Sequence, residues 1–560
     1  MRPIASLPLL LAAFIGGTPL AARADEPQQE RAWEPWTDAD PKLTAKRLTL
    51  GDFGLSGGAE YRAQLTYINP ISLNTIEERR ATWIEHRLRA DATIDYDKKV
   101  KIVSSVDIMD GVLWGDNGTI GVDPETNAGT NVNARNPNNA VPCIAYKGGD
   151  TGDPLSANDY GYGLCSGEIF KVRRLYGEAV TPVGVFRIGR QPFTLGNNLQ
   201  GSPGDGRFNR FGVAHEGAYV DRILFATKPV EAFKPQAKRN TSENEGLIVA
   251  AVYDHLVSDD LKLFSDDTHQ AGGAVVFKAP KWPIGKDLDL LGFYVYRWND
   301  LYSSHVHIFG ARALSKFGPV AVGLEGAGVV GETDEVSTAY HAITNDPITT
   351  QDIVQLGARA VVRVDQPYWG AYLEFDYASG DGDPRANTPL SQFVFSPDEN
   401  VGLLLFENVR YFQTARSAAA ATETLKRLDA PSYPVDSIDT RGSFTNAIAI
   451  FPQFDIKPIP ELLFRLGVLV AYAPEVVVDP VQSLLRRDGT EIADDLVNFA
   501  GGKPGHFYGA ELDLRAGWRF LDHATVDLEG ALLFPGDALE DENGDAVKSG
   551  MIQGRTTFFF

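Results

Sequence analysis

The chain has 560 residues, a formal net charge of −22, 43% hydrophobic residues, 55 glycines and 2 cysteines. So acidic a chain lacks the basic surface that nucleic-acid binding needs to neutralise phosphates, and with no C-x-x-C-H it offers no covalent haem attachment. Mean hydropathy slightly below zero suits a soluble protein and equally a membrane barrel, whose lipid-facing and lumen-facing residues alternate and cancel in any window.

Arg2 opens the chain, an apolar run from Leu7 to Ile15 is interrupted only by Pro8, and Ala22-Arg23-Ala24 places small residues before Asp25. That is the layout of a cleaved secretory signal over 1–24. The run is too short for a spanning helix of about 20 residues. Residues 25–52, with Trp33 and Trp36, are read as a periplasmic extension, and 53–560 as the membrane domain.

From Phe53 onward the pattern is period two. In Trp83–Tyr96, Ile84, Leu88, Ala90, Ala92, Ile94 and Tyr96 share one face, while Glu85, Arg87, Arg89, Asp91, Thr93 and Asp95 share the other. A run this long exceeds the strands of about five or six residues usual in globular sheets and matches a tilted bilayer crossing. About eighteen such runs occur, near 53–67, 82–96, 100–109, 168–180, 184–190, 217–226, 246–257, 270–279 and 288–297 in the first half. The second half holds 304–315, 319–330, 352–364, 368–378, 445–456, 461–472, 507–518, 523–534 and 550–560. In lipid every backbone donor and acceptor needs a partner, which a sheet achieves only by closing. The expected fold is therefore all-β, a transmembrane antiparallel β-barrel of about 18 strands. A soluble sandwich or propeller would need shorter strands and a repeat, and no repeat is present.

Connections alternate in length. Asp97-Lys98-Lys99, Pro182-Val183-Gly184, Ser315–Gly318, Gln366-Pro367, Lys457–Pro460 and Leu521-Asp522 are short, whereas 110–167, 191–216, 331–351, 379–444 and 473–506 are long and polar. Short turns on one side and long loops on the other mark the periplasmic and extracellular ends of an outer-membrane barrel in a Gram-negative bacterium. The link after the sixth strand, with Lys234, Lys238 and Arg239, breaks the rule. Loops 110–167 and 379–444 are long enough to enter or cover the pore, and Val409–Leu428 has helix-forming composition. Cys143 and Cys165 share one of these loops and are expected to pair as a disulfide in an oxidising compartment. No third or fourth soft ligand accompanies them for a metal. Ser379–Pro384 is read as a turn, with loop calcium as the alternative, although it lacks the spacing of an EF-hand. Acidic clusters at Asp259, Asp260, Asp266 and Asp267, and at 537–545, suit solvation or divalent ions beside lipopolysaccharide. The last strand alternates to a terminal Phe560 and resembles the C-terminal signature presented to the barrel-assembly machinery.

With apolar residues facing lipid, the alternating polar set faces the lumen. It contains Arg62, Arg87, Arg89, Arg187, Arg359, Arg363, Arg465, Arg515 and Arg555, with Glu60, Glu85, Asp91, Glu374, Asp376, Glu511, Asp513, Asp527 and Glu529. Arg173 and Arg174 are adjacent, so simple alternation turns only one inward. Two readings stand side by side: a constriction whose guanidinium groups attract anions, or ion-pair ladders that brace the wall.

Phe186-Arg187-Ile188-Gly189-Arg190-Gln191 ends one strand ahead of a loop containing Gly204-Asp205-Gly206-Arg207, and Tyr372-Leu373-Glu374-Phe375-Asp376-Tyr377-Ala378-Ser379-Gly380-Asp381 ends another. These strand ends resemble the alginate export family of outer-membrane porins. The resemblance implies an eighteen-stranded barrel with an arginine-rich lumen that passes anionic polysaccharide, and points to Arg187 and Arg190 as lumen or rim arginines. Alternation, however, puts Arg190 on the face of Phe186 and Ile188. Loop 379–444 and the cysteines are peculiar to this chain, so alginate itself is not implied. The function expected is passive passage of small or polymeric anionic solutes, without enzymatic activity. One alternative is a scaffold for a periplasmic partner in secretion or electron transfer. The other is an outer-membrane hydrolase recruiting His86, His305 or His307, none of which lies in a motif with a nucleophile.

Overall fold

The computed structural model describes residues 47–73, 80–115, 170–194, 199–204, 209–213, 217–240, 242, 244–258, 268–300, 302–385, 387–415, 417–418, 438–487, 492–521 and 523–560. The signal segment, Trp33, Trp36, both cysteines and most of loop 110–167 lie outside these residues.

Among the described residues a short strand, β1 (Leu48–Leu50), precedes eighteen long ones. These begin with β2 (Phe53–Asn69), β3 (Ala81–Tyr96), β4 (Val100–Gly115), β5 (Phe170–Thr181), β6 (Gly184–Pro192) and β7 (Tyr219–Thr227). They continue through β8 (Gly246–Ser258), β9 (His269–Trp282), β10 (Gly285–Asn299), β11 (Ser304–Phe317), β12 (Val320–Thr333) and β13 (Gln351–Asp365). The last are β14 (Trp369–Ala378), β15 (Ala447–Ile459), β16 (Leu462–Tyr472), β17 (Phe507–Leu521), β18 (Ala524–Pro535) and β19 (Ser549–Phe559). Each of β2–β18 pairs antiparallel with its successor, and β19 pairs back onto β2 from Gly550↔Asn69 to Phe559↔Glu60. Phe560 and Ala59 exchange two further backbone hydrogen bonds of 2.8 and 3.1 Å. The sheet therefore closes without an edge, as lipid requires.

Every strand expected from the alternation coincides with an observed one, differing only at its ends. At the end of the segment assigned to the periplasmic extension, Leu48–Leu50 folds back on Phe53–Leu55 as a hairpin. The link between β7 and β8 is ordered by its own side chains. Its helix Pro229–Ala232 carries Glu231, which pairs with Lys234 at 2.7 Å, and Arg239 binds the carbonyls of Pro182, Ala232 and Lys234.

The outward face carries the apolar band: Leu514 and Leu528 are 53% and 57% exposed, and Ile94, Ile188, Leu356 and Ile552 behave alike. Aromatics stand toward both ends, Phe53, Tyr96, Trp369 and Trp518 near the short turns and Tyr253, Tyr294, Tyr472 and Phe534 toward the opposite end of the barrel. This is the girdle arrangement of a membrane barrel.

Two local features escape simple alternation. At the β4–β5 pair the register jumps between Ser105↔Arg174 and Val106↔Val172. This bulge inserts an extra residue, so Arg173 is buried on the inner side while Arg174 pairs with buried Ser105. The second feature is an inward sector that is apolar. Phe293, Val295, Val306, Ile308, Ala327, Val329 and Ile353 are buried on the inner face of β10–β13, in one apolar cluster with side chains of the loop between β14 and β15 such as Phe393.

Candidate functional site

The lumen is organised by cross-strand ion pairs whose register follows from the strand pairing. Arg89 holds Asp107 of β4 at 2.6 Å, and Asp107 also takes Arg173 at 2.7 Å. Arg87 holds Glu60 at 3.0 Å. Arg465 pairs with Asp455 at 2.7 Å, Arg515 with Asp527 at 2.9 Å, and Arg555 with Glu529 at 2.9 Å. Arg359 reaches Asp376 at 2.6 Å, Glu374 at 3.2 Å, and Glu399 of the loop that follows β14. Arg62 is buried beside Arg87, and Glu85 accepts from Gln64 and Trp83 at 3.1 and 3.3 Å. Toward the short turns Arg187 pairs with Glu178 at 2.6 Å and Arg363 with Asp365 at 2.5 Å, while Asp91 stands exposed to lumenal solvent.

Two loops descend into this ladder. The first, between β6 and β7, presents backbone carbonyls to the wall arginines. Gly204 O accepts from Arg87 Nη1 at 3.4 Å and Arg89 Nη1 at 3.2 Å, and Pro203 O accepts from Arg173 Nη2 at 2.5 Å. Across the lumen Arg210 O accepts from Arg465 Nη1 at 2.6 Å and Arg515 Nη1 at 2.8 Å. Arg210 itself pairs with Asp455 at 3.1 Å and lies over the Tyr372 ring at 4.1 Å.

The second loop, between β14 and β15, is one of the two whose length suggested a plug, and it does enter the barrel. Glu511 of β17 accepts the backbone N–H groups of Leu403, Leu404 and Leu405 at 2.7, 2.8 and 2.6 Å. A carboxylate there satisfies the otherwise open amides at the start of the helical turns 405–415 and suits the positive end of their dipole. Gly402, with φ +81°, turns the chain just before them. Asp398 and Asn400 tie this loop to the first one through Gly217 N at 2.6 Å and Asn209 Nδ2 at 2.9 Å. Phe193, Phe211, Phe393, Phe395, Phe406, Phe412 and Phe444 are buried in a common apolar cluster between the loops and the wall. Gly357 in the wall makes this possible, since a Cβ there would lie 2.2 Å from the Phe393 ring.

Of the arginines expected in the lumen, Arg190 does not line it. It lies on the outer face opposite Leu175 and Asp221, pairing with Asp221 at 3.0 Å, because it shares parity with Phe186 and Ile188. Sequence reasoning missed Arg210, Arg297 and Arg410. Alternation along β10 would have found Arg297, buried with Gln270 at 2.9 Å, whereas nothing periodic marks the two loop arginines. His305 and His307 also lie on the outer face, bonded to Tyr296 and Tyr294 hydroxyls at 2.8 and 2.7 Å, and His86 meets the Tyr61 ring edge-on. In Ser379–Pro384 the carboxylates are engaged by the protein: Asp381 accepts Asp383 N at 3.0 Å and Ser391 N at 3.3 Å, and Asp383 pairs with Arg385. Among the described residues no group of three or more His, Cys, Asp or Glu side chains is placed to hold a metal.

The extracellular loop between β16 and β17 contributes a pH-sensitive support. Asp479 caps the helix Pro480–Arg486, accepting from Val481 N and Gln482 N at 3.0 Å each and from Ser417 Oγ of the plug loop at 2.7 Å. Burial pushes its carboxyl up to about 6. A folded-state value above the unfolded one means that the fold takes up a proton, so packing of this loop strengthens as pH falls through 6 and gains nothing below about 4. The expected gain is at most about 3 kcal/mol. Hydrogen exchange of amides 480–486 should slow between pH 8 and pH 5, after correction for intrinsic rates. D479N, which keeps an acceptor oxygen, should lose that dependence; an unchanged profile in D479N would refute the assignment.

A closed, edge-free sheet with an apolar outer band, aromatic girdles and a charged interior defines a transmembrane β-barrel of the bacterial outer membrane. Residues 437–552 match the alginate export family. This bears out the resemblance drawn from the strand ends at 186–191 and 372–381, and does so in a different part of the chain. No curated protein matches the sequence. Among solved structures, the chain is similar to Pseudomonas aeruginosa OccK2 (OpdF), with TM-score 0.43 and 10% identity over 90% of this chain and 97% of that one. Acinetobacter baumannii OccAB1 gives 0.44 and 10% over 90% and 96%. Pseudomonas aeruginosa OpdK, solved with vanillate, gives 0.45 and 9% over 90% and 98%.

Proposed function

We propose that the protein is an outer-membrane porin for small anionic solutes or anionic chain ends, with a lumen narrowed by its two inward loops. The observation that carries this reading is the use made of the mid-height arginines. Arg87, Arg89 and Arg173 on one side, and Arg465 and Arg515 on the other, each spend donors on a loop carbonyl. A carboxylate or phosphate oxygen is a stronger acceptor for guanidinium than a neutral carbonyl, so a passing anion competes for the same donors. The bracing role of the ladder is compatible with this, since each of these arginines also keeps a wall carboxylate. Single-channel recording in planar bilayers under a salt gradient tests the proposal. The expected result is a small steady conductance with anion preference, reduced in R87Q and R465Q; cation preference, or no channel at all, would refute it.

One observation favours a second reading, a scaffold for a periplasmic partner. In the β7–β8 link Phe233 is 92% exposed, beside Val230 at 57%. Co-purification of one stoichiometric partner, lost in F233D, is the result that reading requires.

A further inference from the structure

Arg410 belongs to the plug loop and not to the wall, and its surroundings differ from those of every arginine in the ladder. It is 5% exposed, and its guanidinium lies 4.6 Å from the Phe499 ring centroid and 5.4 Å from that of Tyr508. Its one hydrogen bond to a described residue is from Nη1 to Gln413 Oε1 at 3.0 Å; among the described residues the buried carboxylate of Asp479 acts on it electrostatically without forming an ion pair. Burying a guanidinium costs several kcal/mol unless a counter-charge and hydrogen bonds compensate. Two aromatic faces, one amide oxygen and the more distant Asp479, whose carboxylate already takes Ser417 and two backbone N–H groups, offset only part of that cost.

Arg410 also lines a cavity of about 190 Å³ near the outer mouth of the barrel. The opposite walls are apolar, from Val329, Ile353, Leu390, Phe393, Val477 and Val478, while Thr414, Thr440 and Thr445 supply hydroxyls. The acidic groups at its rim have partners of their own. Asp381 takes two backbone N–H groups, Asp383 takes Arg385, and Glu335 is engaged as well. A cavity of about 150 Å³ already holds a benzene ring, so this one has room for a ring or short aliphatic body carrying one charged head group.

We propose that this cavity is a binding site for a small organic carboxylate, whose head group completes the coordination of Arg410 while its apolar body packs on Ile353, Leu390 and Phe393. The site lies in the loops, above the arginine ladder, and the binding step does not depend on whether the barrel conducts.

The test uses benzoate and the full-length protein in detergent micelles, with binding read by calorimetry. Saturable one-to-one binding is expected, absent for the neutral analogue benzamide and weakened by about tenfold or more in R410Q. Equal binding of benzoate and benzamide, or unchanged affinity in R410Q, overturns the proposal, as does no saturable binding of benzoate to the wild type. Should R410Q fail to fold, L390W fills the cavity and leaves Arg410 in place; loss of benzoate binding there supports the site, and undiminished binding overturns it. A protein that conducts in bilayers but binds no benzoate sinks only this inference, whereas one that binds benzoate and never conducts sinks only the porin.

Discussion

An R359A variant should lose about 3–5 kcal/mol of barrel stability, the cost of breaking a buried ion pair from one side. Arg359 is 2% exposed and is the shared counter-ion of Glu374, Asp376 and Glu399. Removing it leaves three carboxylates in a pocket that water does not reach, where their mutual repulsion adds to the desolvation cost. The effect reaches beyond the wall, because Glu399 belongs to the plug loop and loses its anchor at the same time. Denaturation in urea, followed by the heat-dependent shift of the folded barrel on electrophoresis, measures the loss. R363A provides the contrast. Its partner Asp365 stands half-exposed at the end of β13, and pairs of that kind contribute about 0–1 kcal/mol. If R359A were no more damaging than R363A, the shared-counter-ion description of the lumen would be wrong.

The second large effect is expected in conductance. E511A should raise single-channel conductance severalfold, because Glu511 is the wall residue that receives Leu403, Leu404 and Leu405. Hydrogen bonds to a charged acceptor contribute about 1.5–3 kcal/mol each. The three share one carboxylate and do not add independently, yet even one such bond shifts a loop equilibrium by more than tenfold. E511Q keeps an acceptor oxygen but no charge, and should fall between wild type and E511A. The barrel itself should survive, since Glu511 is buried without an ion-pair partner among the described residues whose loss would strand a charge. Unchanged conductance in E511A would mean that the loop between β14 and β15 is held by its phenylalanine cluster alone.

Both predictions concern contacts between wall and loop, and these are the contacts that reading the chain did not supply. Period-two alternation located the strands, and with them the inward parity of Arg87, Arg89, Arg359, Arg465, Arg515 and Glu511. It also put Arg190 with Phe186 and Ile188, and its outward place follows that parity against the lumen role that the family resemblance implied. Where parity broke, at the bulge beside Arg173 and Arg174, the pattern was ambiguous because one inserted residue resets the faces.

The sequence by itself determined the closed barrel, because in lipid the alternation of faces and the need to pair every backbone group leave a sheet one solution. Only the tertiary structure decided what fills it. That Phe193 and Phe393 enter the lumen, that β10–β13 turn valines and isoleucines inward on the side these rings meet, and that Glu511 receives a loop over a hundred positions earlier in the chain have no periodic signature. Loop residues carry no repeat that fixes direction, and an apolar side chain buried against lipid or against a loop reads the same in one dimension.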